Sequence, residues 1–283
     1  MKPPPFAYEC PRDVAEAVAL LAAHGGDARP LAGGQSLVPL LNFRLARPAV
    51  LVDLNRIEAL ARIRVGDGAL RIGAMARQAA VEADADVARG WPILPAAIGH
   101  IAHPQIRNRG TVGGSLAHND PAAELPAVML ALDAEMIAQG PQGQRTIAAR
   151  EFFAGTMETA LRPDELLTEI RVPALPEGTG WGFQEAARRQ GDFALVAVAV
   201  VLKPDGARVV VTGTGDGPAH MEAAEAVVAE RGTDADACEA AGDAAAAASE
   251  PADDPHAPAW YRQKLVTALT RRACREAVIR MGR

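Results

Sequence analysis

The sequence has no run of apolar residues long enough to cross a membrane. Its longest, FALVAVAVVL over 193–202, falls far short of the roughly 20 residues a spanning helix needs. A dense basic block is also missing. Formal net charge is −6, the arginines are scattered, and the acidic residues gather mostly in the C-terminal third, a balance that argues against a nucleic-acid partner. Cysteine is scarce. Cys10, Cys238 and Cys274 lie too far apart for a disulfide framework or a metal knuckle. The first residues, MKPPPFAYECP, are proline-rich without an apolar core, so they do not read as a signal peptide. A reducing cytoplasm is the expected location.

What is present suits a sizeable core. The chain has 283 residues, 49% of them hydrophobic, enough for one large domain or two ordinary ones. Val14, Val18 and Leu21 recur at helical spacing and predict an amphipathic helix over 12–24, stopped by Gly25 and Gly26. Strands are expected at 29–32 and 49–54, and a hairpin over 63–72 around Gly66, Asp67 and Gly68. Helices should follow at 76–84, 92–102 and 122–131, with strands at 134–138 and 166–172. Pro and Gly then crowd 173–180, a plausible linker. Strands at 181–187, 194–203 and 207–213 come next, then helices at 219–231, 234–248 and 257–281. Strands followed by a run of helices indicate a separate α+β unit. Trp91 and Trp181 read most simply as core or interface anchors.

Two stretches ask for chemistry. PLAGGQSLVPLL (30–41) and RNRGTVGGSLAHNDPAAELP (107–126) each carry adjacent glycines behind an apolar run. Bare backbone at such a place supplies N–H donors to a diphosphate, because Gly accepts positive φ and admits close approach. Ser36 and Thr111 each add a hydroxyl. Neither stretch has the Gly-Lys-Ser/Thr ending of a P-loop. Each, taken alone, also reads as an ordinary tight turn. Other patterns are weaker. The glycines of VVVTGTGDGPAHMEAAEAV (209–227) are spaced one residue short of a dinucleotide fingerprint, and no strand follows to complete the unit. His100 and His103 could share a helix face, but with His118 they lack a matched carboxylate or cysteine set for a metal. Arg188 and Arg189 suit an anionic ligand, a partner or a solvated strand edge equally well. Cys10 has no evident base.

AGGQSL (32–37) and IRNRGTVGGSLAHNDPAAELPAVMLAL (106–132) resemble the FAD-binding subunit of the molybdenum hydroxylases. DELLTEIRVP (164–173) and FQEAARRQGDFALVAVA (183–199) extend the likeness, in order, over nearly the whole chain. The resemblance implies a two-lobed α+β FAD-binding domain of the vanillyl-alcohol-oxidase type over 1–175. It implies a smaller α+β domain with a three-stranded antiparallel sheet and helices over 176–283. It further implies that Ala32, Gly33, Gly34, Gln35, Ser36 and Leu37 wrap the FAD pyrophosphate. Thr111, Gly113, Gly114 and Ser115 would form a second flavin-contacting turn, with Ser115 replacing a frequent Asn. Ile101, Ile106 and Leu167 match apolar positions at the flavin. Glu124, with Asp120 as its rival, matches an acidic position that meets the adenosine ribose. Gln184 replaces a lysine that some relatives place near the isoalloxazine ring, and Phe193 matches an aromatic position beside it. Phe193 reads equally well as the start of a buried strand.

The implied function is electron transfer within a complex. A large subunit with a molybdenum–pterin centre oxidises the substrate, and a small subunit with two [2Fe–2S] clusters passes electrons to FAD and on to an external acceptor. A dimer of heterotrimers is expected. Three cysteines are too few for one all-cysteine cluster, so the clusters belong to another polypeptide. A stand-alone flavin oxidoreductase and a flavin-less assembly scaffold are the other two readings.

Overall fold

A computed structural model of the chain describes residues 2–281. Strands β1 (Ala7–Glu9), β2 (Ala28–Leu31) and β3 (Val50–Asp53) form a parallel sheet in the order β1-β3-β2. Helix α1 (Val14–His24) buries Ala17, Val18 and Leu21 against it, capped by the Asp13 carboxylate, which accepts from the Glu16 N–H at 2.8 Å. A six-residue helix, α2 (Leu37–Asn42), follows the first glycine segment.

The second lobe is an antiparallel sheet with helices packed on it. Its strands β4 (Ile63–Gly66), β5 (Ala69–Gly73), β6 (Glu135–Gly140) and β7 (Gly143–Ala148) are joined by a later one. After a small hairpin of β8 (Phe153–Gly155) and β9 (Glu158–Thr159), β10 (Leu166–Pro173) enters at the centre, giving the order β4-β5-β10-β6-β7. Short helices α3 (Gln78–Ala83), α4 (Ala85–Gly90), α5 (Ile93–Ile98), α6 (Pro104–Arg107) and α7 (Val112–His118) connect β5 to α8 (Glu124–Ala131), and α9 (Ala149–Phe152) follows β7. Every residue of α8 is buried. A helix covered on all sides has no polar stripe to spare.

The C-terminal sheet explains that covering. β11 (Gly180–Ala187), β12 (Ala194–Lys203), β13 (Gly206–Thr212) and the two-residue β14 (Ala219–His220) pair antiparallel in that order. Helices α10 (Glu222–Arg231), α11 (Ala235–Ala248) and α12 (Ala259–Met281) complete the chain. Side chains alternate along a strand. On β12, Val196, Val198, Val200 and Leu202 share a core with the helices α10–α12, while Ala197, Ala199 and Val201 join the core that holds α8. Both faces are therefore buried, and 193–202 reads as one apolar run for that reason rather than as a membrane segment.

Several expectations need correction. The C-terminal sheet has four strands, the expected three plus β14. The helix expected at 92–102 ends at Ile98, so His100 and His103 sit in the turn before α6 and not on a helix face. The glycine-rich 209–227 runs strand, turn, antiparallel β14, then α10. A Cβ at Gly213, where φ is +85°, would strike the Leu195 backbone. Gly213 thus serves close packing, whereas a Cβ at Gly215 would meet open space. Trp91 is buried with Nε1 donating to the Pro173 carbonyl at 2.7 Å, and Trp181 lies under the Arg280 guanidinium, 3.7 Å from its ring centre.

Candidate functional site

The two glycine segments lie back to back. A Cβ on Gly33 would overlap the Arg109 carbonyl, and one on Gly114 would come within 3.4 Å of the Ala32 Cβ and 2.6 Å of the Thr111 Oγ1. The first segment leaves β2 at its C-terminal end and turns into α2. Of its two glycines only Gly34 has positive φ, at +75°. Gln35 folds back so that its Nε2 donates to the Gly33 carbonyl at 3.0 Å. Among the described residues, none accepts a hydrogen bond from the backbone N–H of Gly33, Gly34, Gln35, Ser36 or Leu37. A run of unclaimed donors is the chemistry an oxyanion needs. Ser36 is exposed and Leu37 half-buried.

The second segment is built differently. It is the N-terminal part of α7, not a turn, and its glycines have ordinary helical φ. Thr111 caps it, its Oγ1 accepting from the Gly114 N–H at 3.1 Å. The Val112 and Gly113 N–H groups donate to the Ala76 and Ala74 carbonyls at 3.0 and 2.9 Å, and Ser115 N–H to the Thr111 carbonyl at 3.1 Å. These donors are spent. Gly113 is bare because a Cβ there would press on Ala74 at 2.5 Å. What this segment has left to offer a ligand is the half-buried Ser115 hydroxyl and the Thr111 hydroxyl proton. Backbone donors were expected from both segments; only the first has them unclaimed.

The apolar positions adjoin this seam. Leu167, 4% exposed on β10, neighbours Thr168, whose carbonyl accepts from Ala74 N–H at 2.9 Å. Ile101 and Ile106 are half-buried beside α6, where Arg107 donates to the Ile101 carbonyl at 3.0 Å and ion-pairs with Glu82 at 2.8 Å. The loop after β11 packs here too, since a Cβ on Gly191 would meet His103 and the Ala102 carbonyl at 2.6 and 2.8 Å. Phe193 ends that loop at 73% exposure. Its reading as the start of a buried strand is overturned, because burial begins at Ala194.

The acidic positions separate by environment. Asp120 is a turn residue, its Oδ1 accepting from the Ala122 N–H at 2.9 Å. Glu124 is buried at the first position of α8. Burial pushes its pKa up to about 7, partly offset by its own backbone N–H and reinforced by Asp120. Gln184 does not face this seam. Its Nε2 donates to Glu276 of α12 at 2.6 Å, on the opposite face of β11.

The next residue, Glu185, which the sequence reading missed, turns to the other face of β11, toward His100 and Glu124. Its side chain is 3% exposed, Oε1 lies 3.9 Å from the His100 Nδ1, and Oε2 has no partner. Burial, then the nearby Glu124, pushes its pKa up to about 8. His100 packs edge-on against Phe183 with ring centres 5.3 Å apart, and burial lowers its pKa. Strand alternation from Phe183, shared with the α8 core, was the available signal for Glu185.

Comparison with known proteins fits this arrangement. The family described as "FAD binding domain in molybdopterin dehydrogenase" matches residues 4–175, and the "CO dehydrogenase flavoprotein C-terminal domain" matches 181–277. The chain belongs to this family of FAD-binding oxidoreductase subunits of the molybdenum hydroxylases. Similar in particular is the 6-hydroxypseudooxynicotine dehydrogenase complex subunit alpha of Paenarthrobacter nicotinovorans, 43% identical over 99% of this chain and 97% of that one. The carbon monoxide dehydrogenase medium chain of Hydrogenophaga pseudoflava is 39% identical over 98% of each. A solved structure of carbon monoxide dehydrogenase from H. pseudoflava, lacking the Mo-pyranopterin moiety of its molybdenum cofactor, superposes with a TM-score of 0.96 at 41% identity, covering 99% of both chains.

Proposed function

We propose that this chain is the FAD-binding electron-transfer subunit of a heteromeric molybdenum hydroxylase. It receives electrons from [2Fe–2S] clusters of a small subunit, fed by a molybdenum–pterin centre in a large one, and delivers them to an external acceptor. The observation that carries the reading is the run of unclaimed N–H donors over Gly33–Leu37, set against α7 in a chain that aligns end to end with medium chains. When bound, FAD supplies one- and two-electron chemistry, and the protein's part is to hold and orient it. Ala32, Gly33, Gly34, Gln35, Ser36 and Leu37 hold the diphosphate. Thr111 and Ser115 add hydroxyls, Gly113 lets α7 pack on Ala74, and Gly114 lets the two segments meet. Ile101, Ile106 and Leu167 are the apolar wall, Glu124 and Asp120 the acidic end, and Phe193 an exposed aromatic at the rim.

We assign residues 1–175 to the FAD-binding domain and 176–283 to the C-terminal domain, as the family matches and the sheet division support. Cys238 and Cys274 are buried on α11 and α12, away from half-buried Cys10. The iron–sulfur clusters therefore sit on a partner, and the assembly is a dimer of heterotrimers. The similar proteins carry names for an oxynicotine derivative and for carbon monoxide, so substrate choice lies outside this chain. The purified chain should show a stoichiometric FAD spectrum, no iron–sulfur paramagnetic signal after dithionite, and no oxidation of an organic donor until partner subunits are added. Steady turnover by the chain alone would establish a stand-alone oxidoreductase instead.

A further inference from the structure

We infer that Arg77 is a positioning residue whose two-armed guanidinium sets the spacing of the two glycine segments, and so the tightness with which the cofactor's diphosphate is held. The inference rests on the FAD reading above. Arg77 stands at the start of α3, outside both glycine motifs. One arm, Nη2, donates to the Asn55 Oδ1 at 2.6 Å; the other, Nη1, donates to the Arg109 carbonyl. That carbonyl is the group against which Gly33 is packed. Asn55 in turn donates through Nδ2 to the Ala32 carbonyl at 3.0 Å, the residue that opens the first segment. The fork thus ties Ala32, through Asn55, to the loop that leads into Thr111.

The far end of this chain of bonds is also fixed. Asp53, at the end of β3, accepts from the Asn55 N–H at 2.9 Å and from the Tyr8 hydroxyl on β1. Burial works against the Asp53 carboxylate, but the Tyr8 and Asn55 donors hold its pKa below the ordinary value. Tyr8 is pushed up to about 12, first by that hydrogen bond and then by burial. Both partners keep their working protonation states across the neutral range. Backbone bonds add to the clamp: Gln78 N–H donates to the Gly110 carbonyl at 2.9 Å, and Arg77 bridges Thr111 in a short antiparallel pairing.

A planar fork that reaches two acceptors is a property of Arg that Lys lacks. The full-length chain, stripped of flavin and titrated with FAD, tests the assignment. Arg77→Lys, which keeps the charge, and Asn55→Ala should each weaken FAD binding about tenfold. The double variant should be within about twofold of the weaker single one, because both cut the same connection. With FAD bound, amide exchange should speed up at 33–37 in each variant, with the β12 core still protected. Wild-type affinity in Arg77→Lys, or additive losses in the pair, overturns the positioning role while leaving the FAD reading intact. If Arg77→Lys does not fold, Asn55→Ala alone decides, by affinity and by exchange at 33–37 with FAD bound. A wild-type chain that binds no FAD overturns the reading itself.

Discussion

Phe193 shows how far a single side chain's meaning depends on its surroundings. In sequence it heads an apolar run, yet in the structure it is 73% exposed and the strand begins one residue later. Phe193→Ala should therefore change thermal stability by no more than about 0.5 kcal/mol. We propose that Phe193, beside the FAD site, covers one face of the ring and limits access of dioxygen. The same variant should retain FAD and alter the reoxidation rate of the reduced flavin in stopped flow. An unchanged rate would leave Phe193 as a surface residue without a role in access. Gln184 teaches the converse, since its position in the motif suggested the flavin and its side chain went to Glu276.

At the scale of elements, adjacent glycines are not equivalent. Gly33 is bare so that the first segment can lie on the Arg109 carbonyl, whereas Gly34 is bare because its φ is +75°. Gly33→Ala forces two backbone segments apart and should cost about 1–3 kcal/mol or more, with FAD lost because the seam opens. Gly34→Ala carries a left-handed strain of roughly 1–2 kcal/mol and places its methyl 3.2 Å from the Val38 Cγ2. It should stay folded and bind FAD more weakly. Urea unfolding of the apoproteins, followed by FAD titration of whatever folds, separates the two. FAD binding by Gly33→Ala as tight as by Gly34→Ala would contradict the packing asymmetry.

Across the whole molecule, the C-terminal sheet closes over α5 and α8 and traps Glu185 and Glu124 in the seam. Both carboxyls have folded-state pKa values raised above the ordinary 4.5, to about 8 and about 7. The folded chain then holds protons that the unfolded chain releases. Their contribution to stability is fully present below about pH 4.5 and is lost as pH rises through 7 to 8. Glu185→Gln mimics the protonated form. The variant should melt higher than the wild type near about pH 9, by at least about 2 °C, with the difference closing toward about pH 5. A parallel pH profile in variant and wild type would show that Glu185 is ionised in the fold.

The sequence by itself determined the element types that periodicity or run length encodes. The amphipathic α1, the hairpin of β4 and β5, the doubly covered β12 and the long α12 all lie within a few residues of where the pattern placed them. The glycine segments were legible as unusual, and their order along the chain carried the family resemblance. α7 was not legible, because Gly113 and Gly114 oppose a helix and only the Thr111 cap and the packing on Ala74 make one there. β14 has two residues, too few to leave a pattern. Nor could sequence tell spent donors from free ones. Whether an N–H is claimed depends on which carbonyl another segment brings to it, as Ala74 and Ala76 do for α7 and no described residue does for Gly33–Leu37. Glu185 and Arg77 belong to the same class. A charged residue's role follows from burial and from partners distant in the chain, and only the closing of the sheets over one another decided those.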